Sequence, residues 1–360
     1  MGRNTKDLIK RLPKSTTLIA VAVVSGLVGV YFLVASYAAT PTASVQPESG
    51  SRTGGASVVS DSSASGSSAV KFSTPPVAGA CPNEQHMPGG PDGMGGCWPY
   101  EGNTGVPTGT TLTAYTGPCS ITTPNTVIDS KMVNCGLSIR AANVVVRNSQ
   151  INGNVYVDSC SGNYSVTVED SRIHVNDLNY RGLQPCYYVA KRVNVSGGQS
   201  MAWCQSCTIQ DSFLHSPLED FSGIAHNSTV RMAAYATLRH NTFWCNVAEH
   251  VSQNDTSGCS ANQTGYSHDG SPPHDSLVEA NLYMPTSGGY CSYGGSTSGE
   301  LDQVHHIVFK DNIFRKTAPG YPGGPNCGYW GASTSFDPSR PGNQWINNRW
   351  SDGSILNSTL

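Results

Sequence analysis

The sequence predicts an all-β fold, a right-handed parallel β-helix that occupies residues 110–360. Two observations carry this prediction. Apolar residues recur at fixed positions in units of about 20 residues, which is the size of one coil of a β-solenoid, and a pair of polar residues interrupts each unit. A chain of 360 residues is long enough for two or three average domains, but solenoids often use such a length for one domain.

Residues 1–39 are predicted to form an export signal or membrane anchor. Five basic residues lie among the first fourteen positions, and an apolar run without any charge extends from about Thr17 to Ala39. A run of this length exceeds the core of a typical signal peptide and can span a bilayer with its basic flank inside. We therefore expect attachment to a membrane through this segment. The tripeptide at 36–38 resembles a cleavage site, so secretion after cleavage is the alternative.

Two segments without a core-forming pattern separate this run from the repeats. Residues 40–77 are rich in Ser, Gly, Thr, Val and Pro and contain no aromatic residue before Phe72, so they are predicted to be a disordered linker. Residues 78–109 contain clusters of Gly and Pro and two cysteines, Cys81 and Cys97. They are predicted to form an irregular, disulfide-stapled N-terminal cap.

The repeat has nine copies of six residues, in which the first and sixth positions are always apolar and the fourth is Ser or Asn in eight copies. We expect the apolar positions to point inward, the polar pair to turn the chain, and the fourth positions to stack into a ladder of hydrogen bonds. A β-sandwich, the alternative with many short strands, does not explain aligned columns with one polar turn per copy. The copies begin at Val127, Val146, Val168, Ala190, Ile209, Leu238, Val278, Phe309 and Trp345.

All twelve cysteines follow residue 80. An even number of cysteines behind an export segment predicts disulfides and an extracytoplasmic location, either anchored at the cell surface or secreted. Pairing of neighbours along the chain is one connectivity among many, and the sequence does not choose between them. The segment from Cys204 to Cys207 has a second interpretation as half of a zinc site, although one CxxC without a partner motif is a weak signal for zinc.

The aligned columns, the Ser/Asn ladder and the long late insertions resemble right-handed parallel β-helix proteins of the pectate-lyase-like superfamily, over residues 105–355. The resemblance implies the fold but not one activity, because this architecture hosts polysaccharide lyases, glycoside hydrolases, epimerases, esterases and non-catalytic adhesins. The chain lacks the Asp series of polygalacturonases, the Arg-x-x-Arg element of pectate lyases and the Asp-Pro-His-Glu motif of alginate epimerases. No particular sugar is therefore indicated.

The candidate catalytic residues lie in one insertion, between Leu214 and Leu238. Insertions on a solenoid emerge on one face and usually build its binding groove. Lyases of the resembled superfamily remove a proton next to a uronate carboxylate, which implies a base and a cationic group that neutralises the acid. The resemblance assigns these roles to His226 as the base, Arg231 as the neutralising group, and His215 or Asp220 as a helper.

Two other interpretations of this insertion stay open. Hydrolysis of a glycosidic bond needs two or three carboxylates, for which Asp220 with Asp269 or Glu219 are candidates. Histidines and acids in polar turns also serve simply to hydrogen-bond the loops that carry them. Arg231 lies in a short alternating segment and is expected to point outward into a groove.

A second cluster at 267–275 contains two His-Asp pairs, His268 with Asp269 and His274 with Asp275. Such pairs can bind a divalent metal or act as an acid and a base. A solvated turn rich in Gly and Pro is the alternative. His268 and Asp269 are predicted to contact the substrate.

Aromatic residues and the remaining histidines complete the candidate list. His240 lies in the polar column of the repeat and is predicted to be structural, and His305-His306 is interpreted as the start of a strand. Trp345 and Trp350 occupy inward columns and are predicted to be core. An aromatic ring offers a sugar a flat apolar face and a polar edge. The rings predicted to stack on substrate are Trp203, Tyr266, Tyr290, Tyr293 and Trp330.

The low content of charged residues limits which kinds of molecule this protein is expected to bind. Only 12% of the residues are charged and the formal net charge is −3, which argues against a nucleic acid. We expect a monomeric, extracytoplasmic, carbohydrate-active protein, lyase-like and acting on a uronate-containing polysaccharide, with Ca²⁺ as a candidate cofactor. The alternatives are a hydrolase on the same fold and a non-catalytic surface β-helix that binds glycan or adheres to a partner.

Overall fold

The computed structural model describes residues 56–60, 68–72, 81–251, 256–266, 271–296, 303–316 and 327–359. The chain divides into two units, 1–74 and 75–360. The predicted export segment lies outside the described residues. No helix in the described part is long and apolar enough to cross a membrane.

The first unit contributes one pair of described strands. These are β1 (Ala56–Ser60) and β2 (Ser68–Phe72), which pair in antiparallel orientation. Both strands fall inside the segment 40–77, for which the sequence predicts a linker.

The second unit is a coil of three parallel sheets, and its described residues contain no α-helix. Strands are numbered β1 to β31 in chain order. Sheet 1 consists of β3 (Thr113–Ala114), β6 (Lys131–Val133), β9 (Gln150–Asn152), β12 (Arg172–Val175), β15 (Asn194–Gly197), β18 (Phe213–His215), β21 (Thr242–Trp244), β25 (Leu282–Tyr283), β28 (Ile313–Phe314) and β31 (Arg349–Trp350).

Sheet 2 consists of β4 (Ser120–Ile121), β7 (Leu137–Ile139), β10 (Val155–Val157), β13 (Arg181–Gln184), β16 (Ser200–Cys204), β19 (His226–Met232), β23 (Thr256–Thr264), β26 (Tyr290–Tyr293) and β29 (Gly331–Thr334), with β22 (His250–Val251) added antiparallel to β23. Sheet 3 consists of β5 (Val127–Asp129), β8 (Val144–Arg147), β11 (Val166–Glu169), β14 (Tyr188–Lys191), β17 (Cys207–Gln210), β20 (Ala236–Arg239), β24 (His274–Glu279), β27 (His305–Lys310) and β30 (Gln344–Ile346). The chain passes through sheets 1, 2 and 3 in turn and then begins the next coil, so the second unit is a parallel β-helix.

The two apolar columns of the repeat form the core, as the sequence predicts. In sheet 3, Val146 pairs with Val168 and Val168 pairs with Ala190, and all three side chains are fully buried. In sheet 1 the sixth positions stack in the same way, from Ile151 on Ile173 onward. Burial of these columns supplies the main stabilising free energy of the coil.

The first copy of the repeat is shifted by one residue from the predicted alignment. Val127 pairs with Val145, and Ile128 pairs with Val146. Ile128 is 2% exposed and Val127 is 54% exposed, so the inward column begins at Ile128. Two adjacent apolar residues satisfy the sequence pattern equally well, and packing against the next coil selects between them.

A sharp turn joins sheet 3 to sheet 1 in every copy. The residue at the turn has a left-handed backbone, with φ between 48° and 55°, a conformation that Asn and Asp tolerate better than most residues. The nine turn residues are Ser130, Asn148, Asp170, Arg192, Asp211, His240, Ala280, Asp311 and Asn347.

The residue after this turn builds the predicted ladder. The backbone N–H of Asn241 donates to Oδ1 of Asn281 over 2.9 Å, and Asn281 donates in the same way to Asn312. Asn312 donates to Asn348 over 3.0 Å, and all four side chains are fully buried. Earlier coils accept the same bond on serine hydroxyls, at Ser149, Ser171 and Ser212. The ladder is confirmed.

All twelve cysteines are paired, and each pair joins neighbours along the chain. The neighbour pairing that the sequence left open is therefore the one that the fold adopts, and Cys204 is bonded to Cys207 rather than free for zinc. Six disulfides are typical of extracellular proteins. The other pairs are Cys81–Cys97, Cys119–Cys135, Cys160–Cys186, Cys245–Cys259 and Cys291–Cys327.

The stapled segment at 81–105, part of the predicted cap, packs against residues of sheet 1 and its turns. Trp98 is 1% exposed and packs with Leu282 and Met284. At one end Arg315 donates to the backbone oxygen of His86 over 3.0 Å. At the other end, the N–H of Gly105 donates to the backbone oxygen of Arg192 and Glu101 forms an ion pair with Arg172.

The last coil continues both core columns with tryptophan. Trp345 stacks on Phe309 with ring centroids 5.1 Å apart, and Trp350 pairs in register with Phe314. Both tryptophans are partly buried and pack against the core. Phe336 is fully buried beside Trp345, with centroids 5.3 Å apart.

Candidate functional site

Five of the predicted site residues lie on strands of sheet 2, namely Trp203, His226, Arg231, Tyr290 and Tyr293. Trp203 on β16 pairs in register with Arg231 on β19, and Arg231 pairs with Thr264 on β23. One coil further, Tyr293 on β26 pairs with Thr334 on β29. Stacking of coils therefore places residues that are up to 131 positions apart in the sequence on one face.

Four of the five predicted sugar-stacking rings form a continuous aromatic cluster on this face. Tyr266 lies 5.1 Å from Tyr293 between ring centroids, Tyr293 lies 5.8 Å from Tyr290, and Tyr290 lies 5.7 Å from Trp330. Tyr329 extends the cluster at 5.7 Å from Trp330. The cluster ends in open solvent, because Tyr329 is 69% exposed and Trp330 is 67% exposed.

Trp203, the fifth ring, lies on the same sheet next to cationic side chains. The guanidinium carbon of Arg181 lies 4.8 Å from its ring centroid, which is within the range of a cation–π contact. Trp203 also pairs in register with Arg231, whose side chain is half-buried. The part of sheet 2 around Trp203 is therefore basic as well as aromatic.

His226 and Arg231 lie on the same strand and contact each other. Nη2 of Arg231 donates to the backbone oxygen of His226 over 3.2 Å, and its Nε donates to Oγ of Ser200 over 3.4 Å. The side chain of His226 is exposed at the start of β19. These two candidates are brought together on the sheet that carries the aromatic cluster.

Asp220 is engaged in the structure of its own loop. It is 7% exposed, and its carboxylate accepts hydrogen bonds from the hydroxyl and N–H of Ser222 and from the N–H groups of Ile224 and Ala225. These bonds, led by that from the Ser222 hydroxyl, hold the pKa of Asp220 well below its usual range. A carboxylate with every lone pair occupied is a weak proton acceptor, so the fold gives Asp220 an organising role.

His215 lies in sheet 1, on a different face from His226. Its Nε2 is 3.2 Å from Oδ1 of Asn194, its Nδ1 is 2.9 Å from Oγ of Ser216, and its ring stacks on Phe213 at 4.0 Å. Burial lowers the pKa of His215 to about 4, which keeps the imidazole neutral. The structure does not bring His215 to the aromatic cluster.

His250, which the sequence pattern did not single out, pairs near His226 with Glu219, one of the candidate acids for hydrolysis. Nε2 of His250 is 2.8 Å from Oε1 of Glu219. The loops that carry them are joined by the Ser257 hydroxyl, which donates to the backbone oxygen of Asp220, and His226 pairs in register with Gly258. His250 and Glu219 are 31 positions apart on different insertions, so no local spacing signals their contact.

The second predicted cluster is only partly described. His268 and Asp269 lie outside the described residues, and their position is not assigned. The neighbouring pair, His274 and Asp275, begins β24 in sheet 3, next to His305 on β27. These residues belong to a different sheet from the aromatic cluster.

A cleft of about 780 Å³ lies between the stapled segment and the turns from sheet 3 to sheet 1. Its lining includes Asp92, Trp98, Asp211 and His240. His240 bridges both carboxylates, with Nδ1 2.7 Å from Asp211 and Nε2 3.3 Å from Asp92. These contacts agree with the structural role that its place in the repeat predicted.

No family model, curated protein or solved structure matches this chain.

Proposed function

We propose that this protein is an extracytoplasmic, carbohydrate-active β-helix that binds a uronate-containing polysaccharide along the outer face of sheet 2. The observation that carries the proposal is the aromatic cluster formed by Tyr266, Tyr293, Tyr290 and Trp330, with Arg231 two strands away on the same sheet. Stacked rings suit the apolar faces of successive sugars. A guanidinium suits a uronate carboxylate because it offers paired donors to a planar acid.

Cleavage by β-elimination is the activity that this face can support. His226 would take the proton from the carbon next to the uronate carboxyl group, and the electrons of that bond would form a double bond as the neighbouring glycosidic C–O bond breaks. The departing oxygen takes a proton from water. Arg231 would stabilise the negative charge that builds up on the carboxyl group, and its contact with the backbone of His226 keeps the two groups close.

Hydrolysis has less support than elimination. Of its candidate acids, Asp220 is fully hydrogen-bonded within its loop and Glu219 is paired with His250. Asp269 lies outside the described residues. Non-catalytic glycan binding is the second candidate function, because two of the four predicted catalytic residues, His215 and Asp220, hydrogen-bond to groups that hold their own strand or loop in place.

The test is to incubate the full-length protein, purified in detergent, with uronate-containing and neutral polysaccharides, with and without Ca²⁺. Absorbance of unsaturated products reports elimination, and new reducing ends without unsaturation report hydrolysis. We expect unsaturated product that is lost in His226→Ala and in Arg231→Ala but kept in His174→Ala, a matched change on sheet 1. Binding without cleavage would support the non-catalytic candidate, and neither binding nor cleavage would refute the proposal.

A further inference from the structure

A group of three histidines and one aspartate lies at the amino-terminal ends of β24 and β27 in sheet 3 and has no part in the proposed glycan face. His274 and His305 begin adjacent strands and are register partners, with ring centroids 5.0 Å apart. Each is followed by a residue with a left-handed backbone, Asp275 with φ of 48° and His306 with φ of 50°. The same bend in two successive coils therefore places His274-Asp275 next to His305-His306. All four side chains carry atoms that can bind a metal.

The potential ligand atoms are close to one another. Nδ1 of His274 is 2.8 Å from Oδ2 of Asp275, and Nδ1 of His305 is 3.9 Å from the same oxygen. His306 approaches from the other side, with Nδ1 3.9 Å from Oδ1 of Asp275 and 2.8 Å from Nδ1 of His305. One ligand atom from each of His274, Asp275 and His305 lies within 4.8 Å of the others. Around a tetrahedral zinc ion such atoms are about 3.4 Å apart, so the three side chains would bind one ion after rotating towards it. His306 lies outside this group of three and would supply the fourth ligand.

We propose that His274, Asp275, His305 and His306 form a binding site for one divalent transition-metal ion of the zinc class. Imidazole nitrogens with one carboxylate are the ligand set that Zn²⁺ and its neighbours prefer, whereas Ca²⁺ and Mg²⁺ favour oxygen ligands. The side chains are 22% to 58% exposed, so an ion can enter from solvent. The ion would join two successive coils across sheet 3.

The surrounding structure holds the ligands in place. The ring of Tyr235 packs edge-on against His274 at 4.7 Å, and the N–H of Tyr235 donates to the backbone oxygen of His274. The N–H of His306 donates to the backbone oxygen of Pro341 over 2.7 Å. A side chain at Gly342 would collide with the His306 ring, since a Cβ there would lie 2.1 Å from Cδ2 of that ring. Ordered neighbours of this kind lower the entropic cost of binding an ion.

The site is tested by calorimetric titration of Zn²⁺, and separately of Ca²⁺, into full-length protein without a histidine tag, stripped of metals with a chelator. We expect one Zn²⁺ per chain, no comparable binding of Ca²⁺, and a higher melting temperature with Zn²⁺ present. His274→Ala and His305→Ala should each weaken Zn²⁺ binding by about tenfold or more. His174→Ala, a histidine on sheet 1, should leave it unchanged.

Two further variants separate loss of ligands from loss of structure. Asp275→Asn and His306→Asn remove a ligand while keeping a residue type that tolerates the left-handed backbone. Both should retain the metal-free melting temperature of the wild type but lose most of its increase with Zn²⁺. Absence of Zn²⁺ binding in the wild type, or equal affinity in the wild type and all four ligand variants, would overturn the site. Neither result would affect the glycan proposal, because its residues lie on sheet 2.

Discussion

His240 occupies the turn position of its coil and carries two carboxylate partners, Asp211 and Asp92. Its ring also stacks on Trp98 with centroids 5.3 Å apart, so it joins the stapled segment to the coil. Burial alone would lower the pKa of His240, but the hydrogen bonds and charges of the two aspartates outweigh burial and raise it to about 9. The charged imidazolium is therefore the form that the folded protein favours.

A raised pKa makes this contact sensitive to alkaline pH. Its stabilising contribution is fully present below the unfolded pKa of about 6.5 and is lost as the pH rises through the folded value of about 9. The loss should be on the order of 2 to 3 kcal/mol in the free energy of unfolding. Denaturant unfolding at about pH 6.5 and about pH 9.5 measures it, with His240→Asn as the control. An equal pH dependence in that variant would contradict this role.

The asparagine ladder lies at the turn from sheet 3 to sheet 1 and links successive coils, so it depends on several residues together. Asn281 accepts from the backbone of Asn241, and its amide group donates to the backbone oxygen of Leu238 and to Oδ1 of Asn312. Because the site is fully buried, water cannot replace these partners. From Ser212 onward, each coil therefore depends on the asparagine amide of the next coil.

Removal of one rung should be costly. We expect Asn281→Ala to lower the free energy of unfolding by about 3 kcal/mol or more, because it leaves buried donors and acceptors without partners. Asn163→Ala, in an exposed position, should change it by about 0.5 kcal/mol or less. Urea denaturation of the two variants and the wild type provides the comparison, and equal stabilities would refute the importance of the ladder.

The disulfides should differ in how much each contributes to the free energy of unfolding, because they close loops of different length. Cys291–Cys327 spans 36 residues and Cys204–Cys207 spans 3. The longer loop loses more unfolded-state entropy when it is closed. Replacing Cys291 and Cys327 with Ala should cost about 2 to 5 kcal/mol and more than the same change at the short pair, as measured by thermal unfolding. The reverse order would contradict this entropic account.

In the β-helix, stacking of successive coils places residues that are distant in the sequence next to one another on one face. Tyr266 and Trp330 are 64 positions apart in the sequence, yet they belong to one aromatic cluster. The outer members are exposed, so their contribution to ligand binding can be measured without loss of the core.

Trp330→Ala should weaken binding of a uronate polysaccharide by about tenfold, because stacking on an exposed ring is worth on the order of 1 kcal/mol or more. The melting temperature should stay unchanged, since Trp330 is 67% exposed. Affinity electrophoresis in polysaccharide gels measures the effect. Tyr235→Ala, a ring that is 55% exposed directly before β20 of sheet 3, serves as the control. Equal retardation of the two variants would argue against the aromatic face as the binding surface.

The periodic part of this protein can be predicted from its sequence because its core is local. Each copy places apolar residues at fixed distances from one polar turn, so the inward columns, the ladder and the parallel coil follow from spacing alone. The pairing of the cysteines was left open by the sequence, and the structure shows that neighbours along the chain are bonded. The misplaced first copy marks the limit, because Val127 and Ile128 fit the pattern equally well and only packing on Val146 separates them.

The functional surfaces depend on which residues of successive coils lie in register. Insertions of unequal length between the repeats prevent this register from being predicted from the sequence. His215 and His226 are 11 positions apart but lie in different sheets, because the chain turns a corner between them. His274 and His305 are 31 positions apart and lie side by side. The sequence by itself determined the solenoid, whose contacts repeat with a fixed period. Only the tertiary structure decided which loop and strand residues meet, because those meetings are set by the length and path of aperiodic insertions.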